Sequence, residues 1–305
     1  SEYMKILVIG VGGIGGFIGS YLVNNNYDVT FIARKKRLNF LKTNGLKLES
    51  KLGKLNCPKI KVYEKIPEQE SFDIIINTVK LYDFDSVLDE IRKKIKNKPL
   101  IIPFQNGIYA EEKLKKELPD INTIGAVAQI SVFVDEDQII KHVGNLATFF
   151  VGGYDVSENK LLEDFCQSVQ KIGLKIILKK NIKEKIWEKF IFLSAYSGMT
   201  TLFLKPIGEI FEDQDLKNKF IDAMLETYNL SKKFGVSFRS DPVEFWLEKI
   251  NNMPFNMTSS MHVDFNNNKK LELDWLSGSV ETLSKAYKIK CPIHSEIVEG
   301  IKKVK

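Results

Sequence analysis

The sequence predicts an α/β domain over residues 4–180, its strands mostly parallel, followed by an all-helical domain over residues 181–305. Three observations lead there. Up to about Lys180, short β-branched runs alternate with stretches of helical periodicity, the order that puts helices on both faces of a parallel sheet. After Asn181 the strand-like runs stop, and apolar residues recur three and four positions apart. The first run, KILVIG, leads directly into a turn with glycine at positions 10, 12, 13 and 15, and a helical stretch follows it.

Taken in order, the runs expected as strands are KILVIG, DVTFIA, SFDIIINTVK, PLIIPFQNG, INTIGAVAQI and LKIILK, with helices over Phe17–Asn26, Asp83–Lys96 and Ser157–Ile172. Two segments break the alternation. LKLESKLGKLNCPKIKVYE alternates about a Lys51-Leu52-Gly53 turn, and Gln138–Gly152 reads as a second hairpin; both are expected as antiparallel additions. In the second part, WEKFIFLSAYSGMTT (Trp187–Thr201) reads as the first turns of a buried helix. Leu216–Gly235, Pro242–Met253, Leu273–Ile289 and Pro292–Lys303 follow as helices, with Gly235 a stop signal and Pro242 a start. No low-complexity linker joins the two parts, and no internal repeat is present.

A chain of 305 residues with 44% apolar content describes a globular protein, and no apolar run is long enough to span a membrane. The net charge of +6 comes from abundant lysine, arginine occurring only at Arg34, Arg37, Arg92 and Arg239. Evenly spread lysine is a solvated surface, so no nucleic-acid partner is expected. Cys57, Cys166 and Cys291 are far apart and odd in number, and no Cys-x-x-Cys or His-x-x-x-His pair supplies metal-ligand spacing. A reducing compartment and no metal follow as expectations. Ser1-Glu2-Tyr3 ahead of Met4 lack the charged-then-apolar plan of a secretory leader, so the expected location is cytoplasmic.

Gly10-Val11-Gly12-Gly13-Ile14-Gly15 matches Gly-x-Gly-x-x-Gly in the required context, a strand before it and a helix after it. Gly10 permits the tight turn, Gly12 lets the backbone approach a pyrophosphate, and Gly15 lets the helix pack close to the sheet. This is the Rossmann-type arrangement for binding a dinucleotide. At the end of the second strand, where an NAD site places a carboxylate for the ribose, the chain has Ala33-Arg34-Lys35-Lys36-Arg37. A guanidinium grips phosphate through two parallel hydrogen bonds, so Arg34 predicts NADPH/NADP+ as cofactor; the competing reading is a merely solvated basic turn.

Lys189 stands among Trp187, Phe190, Ile191, Phe192 and Leu193, where an ammonium must be paired, re-aimed or deprotonated. Thr78-Val79-Lys80 and Gln105-Asn106-Gly107 end two strands, so Lys80 and Asn106 are expected beside the ligand crevice. Ser259-Ser260-Met261 precedes Glu272-Leu273-Asp274-Trp275-Leu276-Ser277-Gly278. Each has a duller reading: Lys189 snorkelling from a helix end, Glu272 answering a local helix dipole, Asn106-Gly107 forming an ordinary turn.

Taken together, Trp187-x-Lys189, Glu272-x-Asp274-x-x-x-Gly278 and the spacing from Ser260 to Glu272 resemble the ketopantoate reductase family (2-dehydropantoate 2-reductases), over essentially the whole chain from Met4. The resemblance implies reduction of ketopantoate to pantoate, in pantothenate and coenzyme A biosynthesis. It implies Arg34 at the 2′-phosphate, Lys80 and Asn106 near the cofactor ribose and the substrate, and Lys189 as proton donor. It further implies Ser260 on the substrate carboxylate and Glu272 contacting both substrate and Lys189. The state of Lys189 is then a balance between burial and the Glu272 carboxylate, and a mainly protonated lysine at neutral pH is expected. The partner is a small 2-oxo acid, and a homodimer through the helical domain follows by analogy alone.

Family members usually carry asparagines four and eight residues beyond the lysine and one more in the following loop; here these positions are Leu193, Ser197 and Ile207. Ser197 retains a hydroxyl for the substrate, and Ser194, Thr200 and Thr201 are the neighbouring hydroxyls expected to replace the missing amides. The alternatives are a related reductase of another small 2-oxo acid and a non-catalytic NADP(H)-sensing protein.

Overall fold

The structure, a computed structural model, describes residues 4–156 and 158–304; Ser1-Glu2-Tyr3 and Ser157, the first residue of one expected helix, lie outside them. In chain order the first part comprises β1 (Lys5–Ile9), α1 (Gly13–Asn24), β2 (Asp28–Ile32), α2 (Lys35–Asn44), β3 (Leu46–Glu49), β4 (Leu55–Cys57), β5 (Lys61–Tyr63) and β6 (Ile74–Asn77). It continues with α3 (Leu81–Lys94), β7 (Leu100–Pro103), α4 (Tyr109–Glu117), β8 (Ile124–Val134), β9 (Ile140–Gly153), α5 (Lys160–Gln170) and β10 (Lys175–Leu178). The second part holds α6 (Ile182–Phe203), α7 (Ile207–Glu212), α8 (Gln214–Ser231), α9 (Pro242–Ile250), α10 (Ser260–Asn266), α11 (Ser277–Ala286) and α12 (Pro292–Val304), with 3-10 turns at Lys232–Phe234 and Leu273–Trp275.

The alternating region builds two five-stranded sheets instead of one. The first is wholly parallel in the order β5-β2-β1-β6-β7. All four residues of β6 and of β7 are buried, as are Ile6–Ile9 of β1, which is why these runs are unbroken in hydrophobicity instead of alternating. The second sheet runs β10-β9-β3-β4 with β8 paired to β9, and it corrects two expectations. INTIGAVAQI lies in the antiparallel β8, and Gln138–Gly152 is mostly the second arm, β9, of the hairpin that β8 begins. Only five residues separate these strands, turning where Asp135 N–H bonds Ile139 O and Gln138 takes φ 66°; a parallel crossover needs a dozen or more. β3 and β4 form the expected antiparallel pair about Lys51–Gly53, whereas KVY leaves it as β5 and joins the parallel sheet beside β2.

The contacts divide the chain into two compact units: one takes the chain up to Gln105 together with Ala110–Ile182, the other takes Asn106–Tyr109 together with everything from Lys183. The segment following β7 thus belongs with the helices, although the sequence places it inside the first part. In the helical unit, α6 is the central element: Ile186, Trp187, Phe190, Ile191, Ala195 and Met199 are all buried. Its two faces both meet protein, so its sequence lacks the polar stripe of a surface helix. Asp213 caps α8 and Asp241 caps α9, each accepting two backbone N–H bonds at its helix start, and Pro242 takes the first helical position as the sequence predicts. Gly235 sits in the left-handed region at φ 70°, closing the 3-10 turn after α8.

Candidate active site

In the first unit, strand ends converge on a groove of about 730 Å³ bordered by Gly10, Val11, Gly12, Arg34, Arg37 and Lys80, among others. The loop is held by its neighbours. Gly10 N–H bonds Ile32 O, Thr78 N–H bonds Ile9 O, and the Thr78 hydroxyl donates to Gly10 O at 2.7 Å. Two glycines test what the loop is for. A Cβ at Gly15 would lie 2.0 Å from Gly10 O, so only glycine lets α1 pack there. A Cβ at Gly12 would meet nothing within 4 Å, so the requirement at that position is not imposed by the protein itself. Gly12 borders the groove, and α1 begins behind it without a side-chain cap. Open space in front of uncapped first-turn amides suits an anion on the axis of the helix, and the fit to a dinucleotide pyrophosphate is good. Gly13 and Ile14 begin α1 itself.

The basic cluster is differently disposed from its sequence order. Arg34 is exposed and its Nη2 donates to Asp83 Oδ2 at 2.8 Å. A carboxylate therefore does stand at the end of β2, supplied by α3 from 49 residues away, which the local sequence does not reveal. Arg37 turns inward: Nε donates to Val11 O at 2.6 Å, Nη1 to Gln138 O at 2.7 Å, and Nη2 is buried with no partner. Burial lowers its pKa to about 10, leaving it cationic at neutral pH beneath the glycine loop. Lys80 is exposed, at the residue preceding α3. Gln105, missed in the sequence, clamps the end of β6 by donating from Nε2 to Asn77 O and Val79 O, each at 3.1 Å, while its buried Oε1 has no partner. Orphaned donor and acceptor atoms such as these fit a polar ligand.

In the second unit the Lys189 ammonium, near the start of α6, donates to Asn106 Oδ1 at 3.2 Å. These residues are 83 apart in sequence and were both singled out there. Gly107, at φ 80°, makes the turn that presents Asn106; a Cβ on it would come within 3.2 Å of Leu276 and 3.3 Å of Phe190. Desolvation first, and repulsion from Lys185 one turn earlier second, lower the Lys189 pKa to about 8. The net direction is a depression from the ordinary lysine value. The lysine still holds its proton at neutral pH but lies close to releasing it.

The other predicted residues are less uniform. Glu272 is half-buried at the residue opening the Leu273–Trp275 turn. Ser260 is exposed at the first position of α10, while its neighbour Ser259 is buried, accepts from His262 N and pairs with Thr200 Oγ1 at 2.6 Å. Ser197 is buried, its hydroxyl turned back toward Ser194 O at 3.5 Å. The substitutes proposed for the missing amides are buried as well. Ser194 bonds Phe190 O and Thr227, Thr200 bonds Tyr196 O and Ser259, and Thr201 is buried without a partner. A hydroxyl within a helix finds the carbonyl one turn back, and that local bond is what lets Ser194 and Thr200 be buried. Ile207 lies in the hydrophobic core of the helical unit. Among the described residues no cluster of His, Cys, Asp or Glu is set to hold a metal, and no helix is long and apolar enough to cross a membrane.

The chain matches the description "Ketopantoate reductase PanE/ApbA" over residues 6–155 and the C-terminal domain of that family over 181–305. It is 28% identical over 292 residues, 95% of each chain, to an uncharacterized oxidoreductase, YkpB, of Bacillus subtilis. It is 26% identical to the 2-dehydropantoate 2-reductase of Pyrococcus horikoshii, covering 95% of this chain and 94% of that one. Among solved structures, a 2-dehydropantoate 2-reductase from Methylococcus capsulatus superposes with a TM-score of 0.87 at 22% identity, over 99% of this chain and 96% of that one. A D-mandelate dehydrogenase with NADH and anilino(oxo)acetate gives 0.86 at 17%, over 98% and 97%. At these identities the two structures establish the fold. The family works with a nicotinamide cofactor. With both of its domains matched, this chain belongs to the ketopantoate reductase PanE/ApbA family of oxidoreductases.

Proposed function

We propose that the protein reduces a small 2-oxo acid to the 2-hydroxy acid with NADPH, ketopantoate being the substrate that its family membership favours. The observation that carries this reading is the Lys189–Asn106 pair, a desolvated, still-protonated ammonium held by an amide oxygen. When bound, the nicotinamide supplies the hydride. Hydride addition at the keto carbon sends the C=O π pair onto oxygen, and an ammonium in hydrogen-bond reach both stabilises that oxygen and protonates it. Lys189 gives up the proton and regains one from solvent. With a pKa of about 8, it is protonated in about nine molecules of ten at pH 7. Asn106 accepts from the ammonium and fixes where it points; Glu272 and Ser260 are assigned to the substrate, and Glu272 also to the Lys189 ammonium.

The groove residues Gly10, Val11, Gly12, Gly13, Ile14 and Gly15 would cradle the pyrophosphate, with Lys80 near the ribose. Arg34 would take the 2′-phosphate, exchanging its bond to Asp83 for two charge-assisted bonds. Arg34 is what supports NADPH over NADH; Asp83 works against it, since the carboxylate must release Arg34 and repels the phosphate. The deciding experiment follows NADPH and NADH oxidation by absorbance with a panel of 2-oxo acids that includes ketopantoate. Turnover dependent on a 2-oxo acid and abolished in Lys189→Ala, with NADPH binding retained, is the expected result. NADPH binding without turnover across the panel would instead make the protein a cofactor sensor.

A further inference from the structure

From the face of α6 that carries Lys189, and resting on the assignment of that lysine to the reacting carbonyl, we infer that the substrate is a 2-oxo acid whose side chain is an unsubstituted branched or aromatic hydrocarbon. On a helix of 3.6 residues per turn, positions four and seven after Lys189 stand within about 40° of it around the axis. Those positions are Leu193 and Tyr196. From Phe190 to Thr201 every residue is buried except Leu193, so Leu193 is the next point after Lys189 at which this helix is open to a ligand. Around Leu193 the helix is backed by buried aromatic core, a wall in which Tyr196 stacks on Phe192 with ring centroids 4.9 Å apart and Phe192 stacks on Trp246 at 4.5 Å. The Trp246 indole N–H is spent on Glu188 O at 2.7 Å, leaving the ring to act as an apolar surface.

Apart from Thr201, which is buried without a partner, the hydroxyls of serine and threonine in the same stretch are committed elsewhere. Ser194, Ser197 and Thr200 bond carbonyls of their own helix, and Ser194 and Thr200 also bond Thr227 and Ser259. The Tyr196 hydroxyl, at the tip of a stacked and buried ring, makes no hydrogen bond among the described residues. A wall of this kind gains from burying hydrocarbon and offers a hydroxylated side chain nothing to replace its water. Discrimination by such a surface has a characteristic sign and size. An apolar pocket disfavours an added hydroxyl by up to about 100-fold, whereas a pocket built to bond the hydroxyl rejects the analogue lacking it by about 10,000-fold or more.

The test compares ketopantoate with 3,3-dimethyl-2-oxobutanoate, which differs only in lacking the hydroxyl, and adds phenylglyoxylate as an aromatic probe. The full-length protein is assayed with NADPH, and kcat/KM is measured for each. The expected result favours the dimethyl compound over ketopantoate by about 10- to 100-fold, with turnover of phenylglyoxylate. Leu193→Asn, which puts an amide on the open stripe, should move the ratio at least about tenfold toward ketopantoate, the 1.4 kcal/mol of one added hydrogen bond. Tyr196→Phe reads whether the phenol matters, and the ratio should hold. A wild-type preference for ketopantoate overturns the inference while sustaining the reductase assignment, and so does a loss of ketopantoate turnover alone in Tyr196→Phe. No turnover of any 2-oxo acid overturns the reductase assignment itself.

Discussion

Replacing Lys185 with glutamine removes one of two positive charges that α6 stacks a single turn apart, and it should raise the pKa of Lys189. The fall of that pKa from 10.5 to about 8 corresponds to about 3 kcal/mol against the ammonium form, with desolvation the larger cause and Lys185 the smaller. Residues four apart on a helix hold their side chains about 6 Å from one another. At that distance two unit charges in an effective dielectric of about 40 to 80 repel by roughly 0.7 to 1.4 kcal/mol. Lys185→Gln should therefore shift the pH limb governed by Lys189 upward by about half to one pH unit and leave burial to depress the rest. The measurement is kcat/KM for 2-oxo acid reduction against pH, which reports groups of the free enzyme. Because the protonated form is the donor, the wild-type rate should be level below pH 7 and fall tenfold per unit well above pH 8. A profile flat between pH 7 and 9.5 would refute the proton-donor role. A limb unmoved by Lys185→Gln, or one that persists in Lys189→Met, would assign the titration to some other group.

Four further outcomes test the remaining parts. Gly12→Ala should fold with unchanged Tm, since its Cβ meets nothing, yet weaken NADPH binding by tenfold or more in a fluorescence titration; unchanged affinity would place the pyrophosphate elsewhere. Asp83→Asn frees Arg34 and should tighten NADPH several-fold at low salt while leaving NADH nearly unaffected, whereas equal effects on both would remove Arg34 from the 2′-phosphate. His294 is fully buried between Ser277 Oγ and Ala223 O, and burial lowers its pKa to about 4. The unfolded chain then binds the extra proton between pH 6.5 and 4, so stability present above pH 6.5 should fall by about 3 kcal/mol on acidification, and His294→Gln should flatten that slope in denaturant titrations. Glu111 shows the opposite sign: burial raises its pKa to about 8, one oxygen accepting from Ala126 N and the other unpaired, so stability should decline as pH rises from 4.5 to 8. Glu111→Gln should abolish that decline; an equal decline in the variant would assign it to other groups.

Much of the glycine-loop groove was legible because its requirements are local. Gly10 at φ 92° and the close approach at Gly15 are demands on single backbone positions, and glycine is the residue that answers both of them. Lys189 was legible for a related reason, a charge embedded in an apolar run of one helix. The partners of these groups were harder to read. Asp83 reaches Arg34 from another helix, so the absence of a carboxylate beside Arg34 in sequence said nothing about its surroundings. Arg37, adjacent in sequence to the exposed lysines of the basic turn, instead supports Val11 from below.

The sequence by itself determined the passage from an alternating α/β part to a helical part, the glycine turn ahead of α1 and the lysine embedded in an apolar helix, since each follows from periodicity or from one residue's conformational and solvation needs. Tertiary structure decided the split into two sheets, the pairing of Asn106 with Lys189 and the direction of the lysine's pKa. It also decided the fate of the hydroxyls along α6, which composition offered as replacements for the missing amides and which the fold turns into its own interior. The physical reason is the same in each case. Solvation and hydrogen-bond saturation depend on every neighbour in space, and those neighbours come from positions tens of residues away.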